Sequence, residues 1–476
     1  MNALKTGISE MTRFRVSDHD IRQPGQAAWR VLVNEKQAQE TAISMITRIA
    51  KRLARHDNWY EDVRKARAQV QPSGIRLWRP TSLSSGYAGM ALFFGYYAAA
   101  EPGCGWERLA RDYMSRASRA TSDEPLRHCG LYGGSAGLAF VLLCLAELDD
   151  RYIPAALSAL ENVAGQVLQR PGWRHDGDAL ADERDFDVIN GDAGVLTVLL
   201  THSRPSPAVE KAIRALISNL VAFCRPATGT GSRSWRVRPP ERLGDKFASW
   251  HNLGLAHGVL GAAAALAMAI DHGYDADGVT DAAGNVYSWV SDWIIRDSRG
   301  VHWPDGVAAE IDNDPLLRQR VRSRLRAAPP TWCYGAPGGA RALWLGGAVL
   351  RESALCQSAV GAIESAAGRR LGNSGLCHGL AGLLVSCLRF AHDVPDTTLR
   401  GAIPRLTAEL IGMCDPDRPF FAGDPDHGEA DVAEPGLLTG IAGVGLALLA
   451  ATSPVAPRWD RAMLMSGWGA QSAFGS

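Results

Sequence analysis

The chain has 476 residues, 46% hydrophobic and 21% charged, which supplies apolar material for a large core and excludes disorder over most of its length. Lysine plus arginine and aspartate plus glutamate stand at 50 each, so no global field draws the protein to nucleic acid or anionic lipid. Nine cysteines, scattered from Cys104 to Cys414, do not form the even, short-spaced framework of a secreted disulfide scaffold, and reduced thiols in a cytoplasm are expected.

From the N-terminus, residues 1–36 read as a partly flexible extension, and Met1 to Gln26 contains no apolar run that could serve as the core of a signal peptide. A first amphipathic helix is expected over 37–56, and the segment from Lys51 to Arg67 is strongly basic. Cys129 to Ala146 carries no charge and approaches the roughly 20 residues of a membrane span. Its glycines and its recurrence elsewhere argue instead for a buried helix of a helical protein that is not itself transmembrane.

The recurrence is the dominant signal. A Gly-x-x-Gly step followed directly by an apolar run occurs seven times, with first glycines Gly86, Gly134, Gly191, Gly258, Gly335, Gly379 and Gly440. One such step means little, but seven that open the same kind of segment predict repeated architecture. Before each lies a segment with helical periodicity and a polar face, at 37–56, 107–121, 153–169, around Val209 to Phe223, 279–296, 353–368 and 396–413. The expectation is all-α: seven inner helices, apolar nearly all round, enclosed by seven outer ones. A closed double ring and an open solenoid both satisfy the pattern. Residues 37–476 form one such domain in this reading, with loop insertions near 225–250 and 299–330.

The two positions before each first glycine carry the chemistry. They hold Ala256 and His257 in the fourth repeat, Cys333 and Tyr334 in the fifth, and Cys377 and His378 in the sixth. The other repeats place Ser84 and Ser85, Tyr132 and Gly133, Ile189 and Asn190, and Leu438 and Thr439 there. Adjacent helices lie roughly 8 to 10 Å apart, a gap that Cys333 and Cys377 can close around a shared metal with His378 completing the set. Two thiolates and an imidazole favour zinc over oxygen-loving cations, and three protein ligands leave a fourth position open. The competing readings are buried small residues at tight turns, and a closed structural site whose fourth ligand is His427.

A zinc already neutralised by two thiolates activates water poorly but holds a third thiol deprotonated and nucleophilic, which suits alkylation of a substrate thiol. His257 lies in the neighbouring slot and fits a general acid or base; a satisfied turn histidine is the bland alternative. Asp187, four residues before Gly191, either orients His257 or caps a helix. Arg318, Arg320, Arg322, Arg324 and Arg326 recur at every second position, so an extended backbone would put them on one face to grip an acidic peptide or phosphate; a solvated charged loop is the favoured explanation.

The motifs WCYGAPG at 332–338, LCHGLAG at 376–382, GLAHG at 254–258, GLLTGIAG at 436–443, DVINGDAG at 187–194 and GLYGGSAG at 130–137 resemble, in order, those of the lanthionine synthetase C family. The resemblance implies an α/α toroid with one zinc, a stand-alone lanthipeptide cyclase. It implies Cys333, Cys377 and His378 as zinc ligands, with His257, Asp187 and Tyr334 as active-site residues. The implied reaction is intramolecular addition of peptide cysteine thiolates to dehydroalanine or dehydrobutyrine, on a dehydrated precursor peptide supplied by a separate dehydratase, with a membrane exporter complex as a further implied partner. A member that adds glutathione to dehydrated residues, and a non-catalytic zinc-containing peptide-binding scaffold, are the alternatives. The chain departs from the family pattern at Pro329, where an arginine is common; Arg326 is the nearest substitute.

Overall fold

The computed structural model describes residues 29–55, 59–60, 78–170, 179–202, 204–225, 233–276, 278–394, 397–414 and 435–466. Each Gly-x-x-Gly step opens a helix whose N-cap is the first glycine. These inner helices are α2 (Tyr87–Ala100), α4 (Ser135–Ala146), α6 (Asp192–Leu199), α8 (Val259–Asp271), α10 (Ala336–Leu350), α12 (Leu380–Asp393) and α14 (Ile441–Thr452). The outer helices alternate with them: α1 (Lys36–Leu53), α3 (Trp106–Asp123), α5 (Ile153–Gln169), α7 (Pro207–Phe223), α9 (Val279–Trp293), α11 (Ser353–Ala367) and α13 (Leu399–Met413).

The second glycine of each step has a steric reason. A Cβ at Gly338 would lie 2.0 Å from the carbonyl oxygen of Trp332, six residues earlier, and one at Gly443 would lie 1.9 Å from that of Leu437. The same six-residue contact recurs in the other five repeats, so the turn folds back on the first turn of its helix and only glycine fits between.

The inner helices touch in the order α2, α4, α6, α8, α10, α12, α14, and α14 returns to α2, so the ring is closed and the open solenoid is excluded. Each outer helix from α3 onward packs on the inner helix that precedes it in the chain. The first helix, α1, has no predecessor and packs on α14, which closes the outer ring as well. Val195, Leu196, Ala264, Leu343, Leu384 and Leu446, all from the inner helices, are wholly buried, as helices apolar on every side require. Among the described residues no helix is long and apolar enough to cross a membrane; the uncharged run from Cys129 contributes only α4.

The two insertions meet as one lip. Strand β1 (Trp250–Asn252) pairs antiparallel with β4 (Gly306–Ala308), Trp250 opposite Ala308 and Asn252 opposite Gly306. Between them in sequence, β2 (Ile295–Asp297) and β3 (Gly300–His302) form a separate hairpin. The arginine stripe is not extended: Asp314 caps a helix over Pro315–Val321 through the amides of Leu316 and Leu317, and a 3-10 turn follows over Arg322–Arg324. Helical backbone separates side chains that alternation would align. Arg318 pairs with Asp312 and Asp292, Arg322 donates to the carbonyl of Ile294, and Arg326 faces the cleft described below. Of the basic segment from Lys51 to Arg67, α1 accounts for the start, and residues 61–67 lie outside the described residues, as does His427.

Candidate metal centre and active site

All seven turns emerge at one end of the ring, and among the described residues backbone hydrogen bonds join every neighbouring pair of turns except the fifth and sixth into a belt. The carbonyls of Ser84, Tyr132, Ile189, Ala256, Cys333 and Leu438, each two positions before a first glycine, accept amide hydrogen bonds from the adjacent turn. Tyr132 donates to Ile189, Val188 to Ala256, Leu255 and Ala256 to Cys333, and Cys377 to Leu438, and Leu437 and Leu438 close the circle on Ser84. This register explains why equivalent sequence slots become spatial neighbours. At the step from the fifth repeat to the sixth, the side chains that face each other are thiols.

Cys333, Cys377 and His378 place one ligand atom each within 4.8 Å of one another. The Cys377 Sγ lies 3.8 Å from His378 Nε2, close to the edge of about 3.6 Å expected for sulfur and nitrogen on one tetrahedral zinc. Both cysteines are buried and His378 is exposed, so the cluster opens outward on its imidazole side. Thr331 Oγ1 lies 3.4 Å from Cys333 Sγ. The thiol of Cys333 is held well below its ordinary range, first by its hydrogen bond with Cys377, against the upward push of burial, and then by His378. A set of two thiols and an imidazole, mutually in reach and already biased toward the thiolate, fits zinc.

His257 stands on the same rim. Its Nδ1 lies 2.7 Å from Asp187 Oδ2, and Asp187 is buried with 1% of its side chain exposed. The other carboxylate oxygen of Asp187 accepts from the amides of Asn190 and Gly191 in the turn that leads into α6, so one carboxylate contacts the imidazole and braces the turn. Burial disfavours charge on His257, but the hydrogen bond and charge of Asp187, with Glu183 and Cys333 behind them, outweigh it and raise the imidazole above its ordinary value. Tyr334 is partly buried, and burial, with Glu183 and Cys333 nearby, pushes its hydroxyl up, so it stays protonated.

His257, Asp187, Tyr334 and His378 line one cleft of about 1270 Å³, together with Arg238 and Arg326 from the insertions. Pro329 lies in this lining too, so Arg326 reaches the same space from three residues earlier.

Two residues in the cleft were not singled out by sequence. Glu183, on the short helix Glu183–Phe186, accepts from Asn252 Nδ2 at 3.1 Å, and Asn252 Oδ1 accepts from the amide of Gly254 at 2.8 Å. The available signal was positional: Glu183 precedes Asp187 by one helical turn, and Asn252 immediately precedes LGLAHG. Neither lies in a repeat slot, which is where the sequence reading concentrated.

A model of the family described as lanthionine synthetase C-like protein matches residues 77–464, most of the chain and every repeat. The chain belongs to this family. The lanthionine synthetase C-like match begins just before the first repeat and ends one residue past the 3-10 segment that follows α14. The chain is also 25% identical over 319 residues to the nisin biosynthesis protein NisC of Lactococcus lactis subsp. lactis, covering 65% of this chain and 73% of the relative. Among solved structures, nisin cyclase superposes with a TM-score of 0.68 at 22% identity, covering 90% of this chain and 98% of the other. That likeness establishes the fold, the α/α toroid expected for a lanthionine synthetase C-like protein.

Proposed function

We propose that the protein is a zinc-dependent lanthionine cyclase, which closes thioether rings in a dehydrated precursor peptide by adding its cysteine thiols to dehydroalanine or dehydrobutyrine. The observation that carries this reading is that the Cys333, Cys377 and His378 cluster reaches, through His378, the same cleft that the His257 and Asp187 pair lines. Family membership and the likeness to nisin cyclase support it.

Cys333, Cys377 and His378 would hold the zinc. Bound there, the ion supplies the positive charge that keeps a thiol beside it deprotonated and nucleophilic at neutral pH.

The protein's own residues handle protons and orientation. Neutral His257 takes the proton of the incoming thiol, and the resulting imidazolium is stabilised by the buried carboxylate of Asp187. The sulfur forms a bond to the β-carbon of the dehydro residue, the carbon–carbon π pair moves toward the carbonyl, and an enolate results. Tyr334, kept protonated, donates a hydrogen bond to the developing oxyanion. His257 then returns its proton to the α-carbon. The thiol proton lost equals the carbon proton gained, so the addition needs no oxidant or reductant. The cleft admits a peptide segment, and a separate dehydratase supplies the dehydro residues.

The test is mass and thiol analysis of a dehydrated test peptide incubated with the protein. Loss of free peptide thiol without change of mass, dependent on zinc and on His257, supports cyclisation. A gain in mass equal to glutathione, seen only when glutathione is added, would make the protein a glutathione-adding member of the family. An unchanged peptide with full zinc content would make it a binding scaffold.

A further inference from the structure

The bore of the ring is not empty below the cleft. After α14 the chain turns into a 3-10 segment, Arg458–Met463, and continues to Ser466, and its residues from Trp459 onward are buried although three of them are charged or polar. The segment touches α4 and α6, and Asp460 is bound by both Nε and Nη2 of Arg389 on α12. Helices α6 and α12 stand on different sides of the ring, so a segment in reach of both lies inside it. Arg461 anchors the segment further by donating to Glu147 at the C-terminal end of α4, 2.7 Å away.

Its tip reaches the ligand end of the ring. The carbonyl of Met463 accepts from Trp332 Nε1 at 2.9 Å, and the carbonyl of Ala462 accepts from the Tyr132 hydroxyl at 2.9 Å. Leu464, next along, adopts a left-handed conformation with φ of 55°, which a side chain tolerates only when its surroundings demand it. Trp332 is the residue before Cys333, and Tyr132 supplies a carbonyl of the belt. The two rings lie 6.0 Å apart, so the plug's last carbonyls fix a pair of adjoining aromatic supports.

We propose that residues 458–466 form an internal plug that sets the geometry of the candidate metal centre from below, with Trp332 and Tyr132 as its positioning residues. A free Trp332 indole would let the Cys333 turn relax against α12, whereas the plug holds it at one height. The inference rests on the metal reading above, and it assigns the C-terminal segment a task that neither the repeats nor the ligand motif requires.

The test is zinc affinity, read by competition with a chromophoric chelator on the full chain, with the thermal midpoint recorded for each variant. Trp332→Phe keeps the packing and removes the donor; Tyr132→Phe does the same on the neighbouring turn. Arg461→Gln loosens the plug far from the ligands and leaves Glu147 to Arg458, 3.3 Å away. Trp332→Phe is expected to weaken zinc binding about tenfold, as loss of outer-shell support does, and the other two to weaken it about threefold. If Trp332→Phe fails to fold, Tyr132→Phe and Arg461→Gln decide. Variants that bind zinc as the wild type does, or an effect of Trp332→Phe that the other two do not share, overturn the plug. A wild type that takes up no zinc overturns the metal reading and the plug together.

Discussion

The turns of the fourth to sixth repeats and those of the first and seventh share one backbone. Leu438 and Cys333 occupy the same slot, each offers its carbonyl to the belt, and five residues after each stands a glycine, Gly443 or Gly338, that admits no Cβ. Only the side chains differ: Ser84, Ser85 and Leu438 in the one set, His257, Cys333, Cys377 and His378 in the other. The scaffold is thus common property of all seven repeats, and the chemistry is confined to one arc of the rim.

Substitutions within the reactive arc should separate the two most sharply. Cys377→Ala removes one of three ligands and is expected to abolish both stoichiometric zinc, by elemental analysis, and thioether formation, with the thermal midpoint still showing a folded ring. His257→Ala should retain zinc and lower the cyclisation rate by about 10² to 10⁴, the range for loss of a positioned acid–base group. Retention of the wild-type rate would assign His257 to packing.

Asp187→Asn sharpens the comparison further, because the amide still accepts from Asn190 and Gly191 while the charge on His257 is lost. The rate is expected to fall about tenfold. The raised pKa of His257 also fixes a sign. A group whose folded value is raised contributes stability below its unfolded value and loses it as pH rises through the folded one. The His257 contribution to stability therefore fades above the ordinary histidine range, and because the addition starts from neutral His257 the acid limb of the rate should sit there. Asp187→Asn should move that limb to lower pH; an unmoved limb would show that another group titrates.

The scaffold half of the comparison predicts smaller and more uniform effects. Gly338→Ala in a reactive repeat and Gly443→Ala in a silent one meet the same carbonyl contact, and each should cost about 2 kcal/mol by denaturant titration. A cost confined to Gly338 would tie the glycine to chemistry instead of to the turn. Ser85→Ala, in the slot equivalent to His257, should change stability by less than about 0.5 kcal/mol and leave zinc content alone.

The helical repeat was legible because its cause is local, whereas the repeats alone did not separate a closed ring from an open solenoid. A Gly-x-x-Gly turn and an apolar helix repeat seven times, and the periods for the outer helices fall within a few residues of the observed elements. The metal cluster was legible for the same reason, since equivalent slots become neighbours once the repeats stack. What escaped arises from contacts distant in sequence. Glu183 reaches Asn252, which no repeat aligns with it. The arginines from Arg318 to Arg326 were weighed as an extended face against a solvated charged loop, but Asp314 and Pro315 start a helix there and Asp312 and Asp292 take Arg318. The plug's Asp460 finds Arg389 across the bore, where periodicity gives no guidance. Ring closure itself depends on α14 packing against α2, a contact between the two ends of the repeat array.

X-ray absorption at the zinc edge of the purified protein tests the centre of this reading most directly. The expected first shell holds two sulfurs at about 2.3 Å and a nitrogen at about 2.0 Å, with one lighter donor completing four. A shell of oxygen and nitrogen alone, or no bound zinc, would contradict the assignment of Cys333, Cys377 and His378.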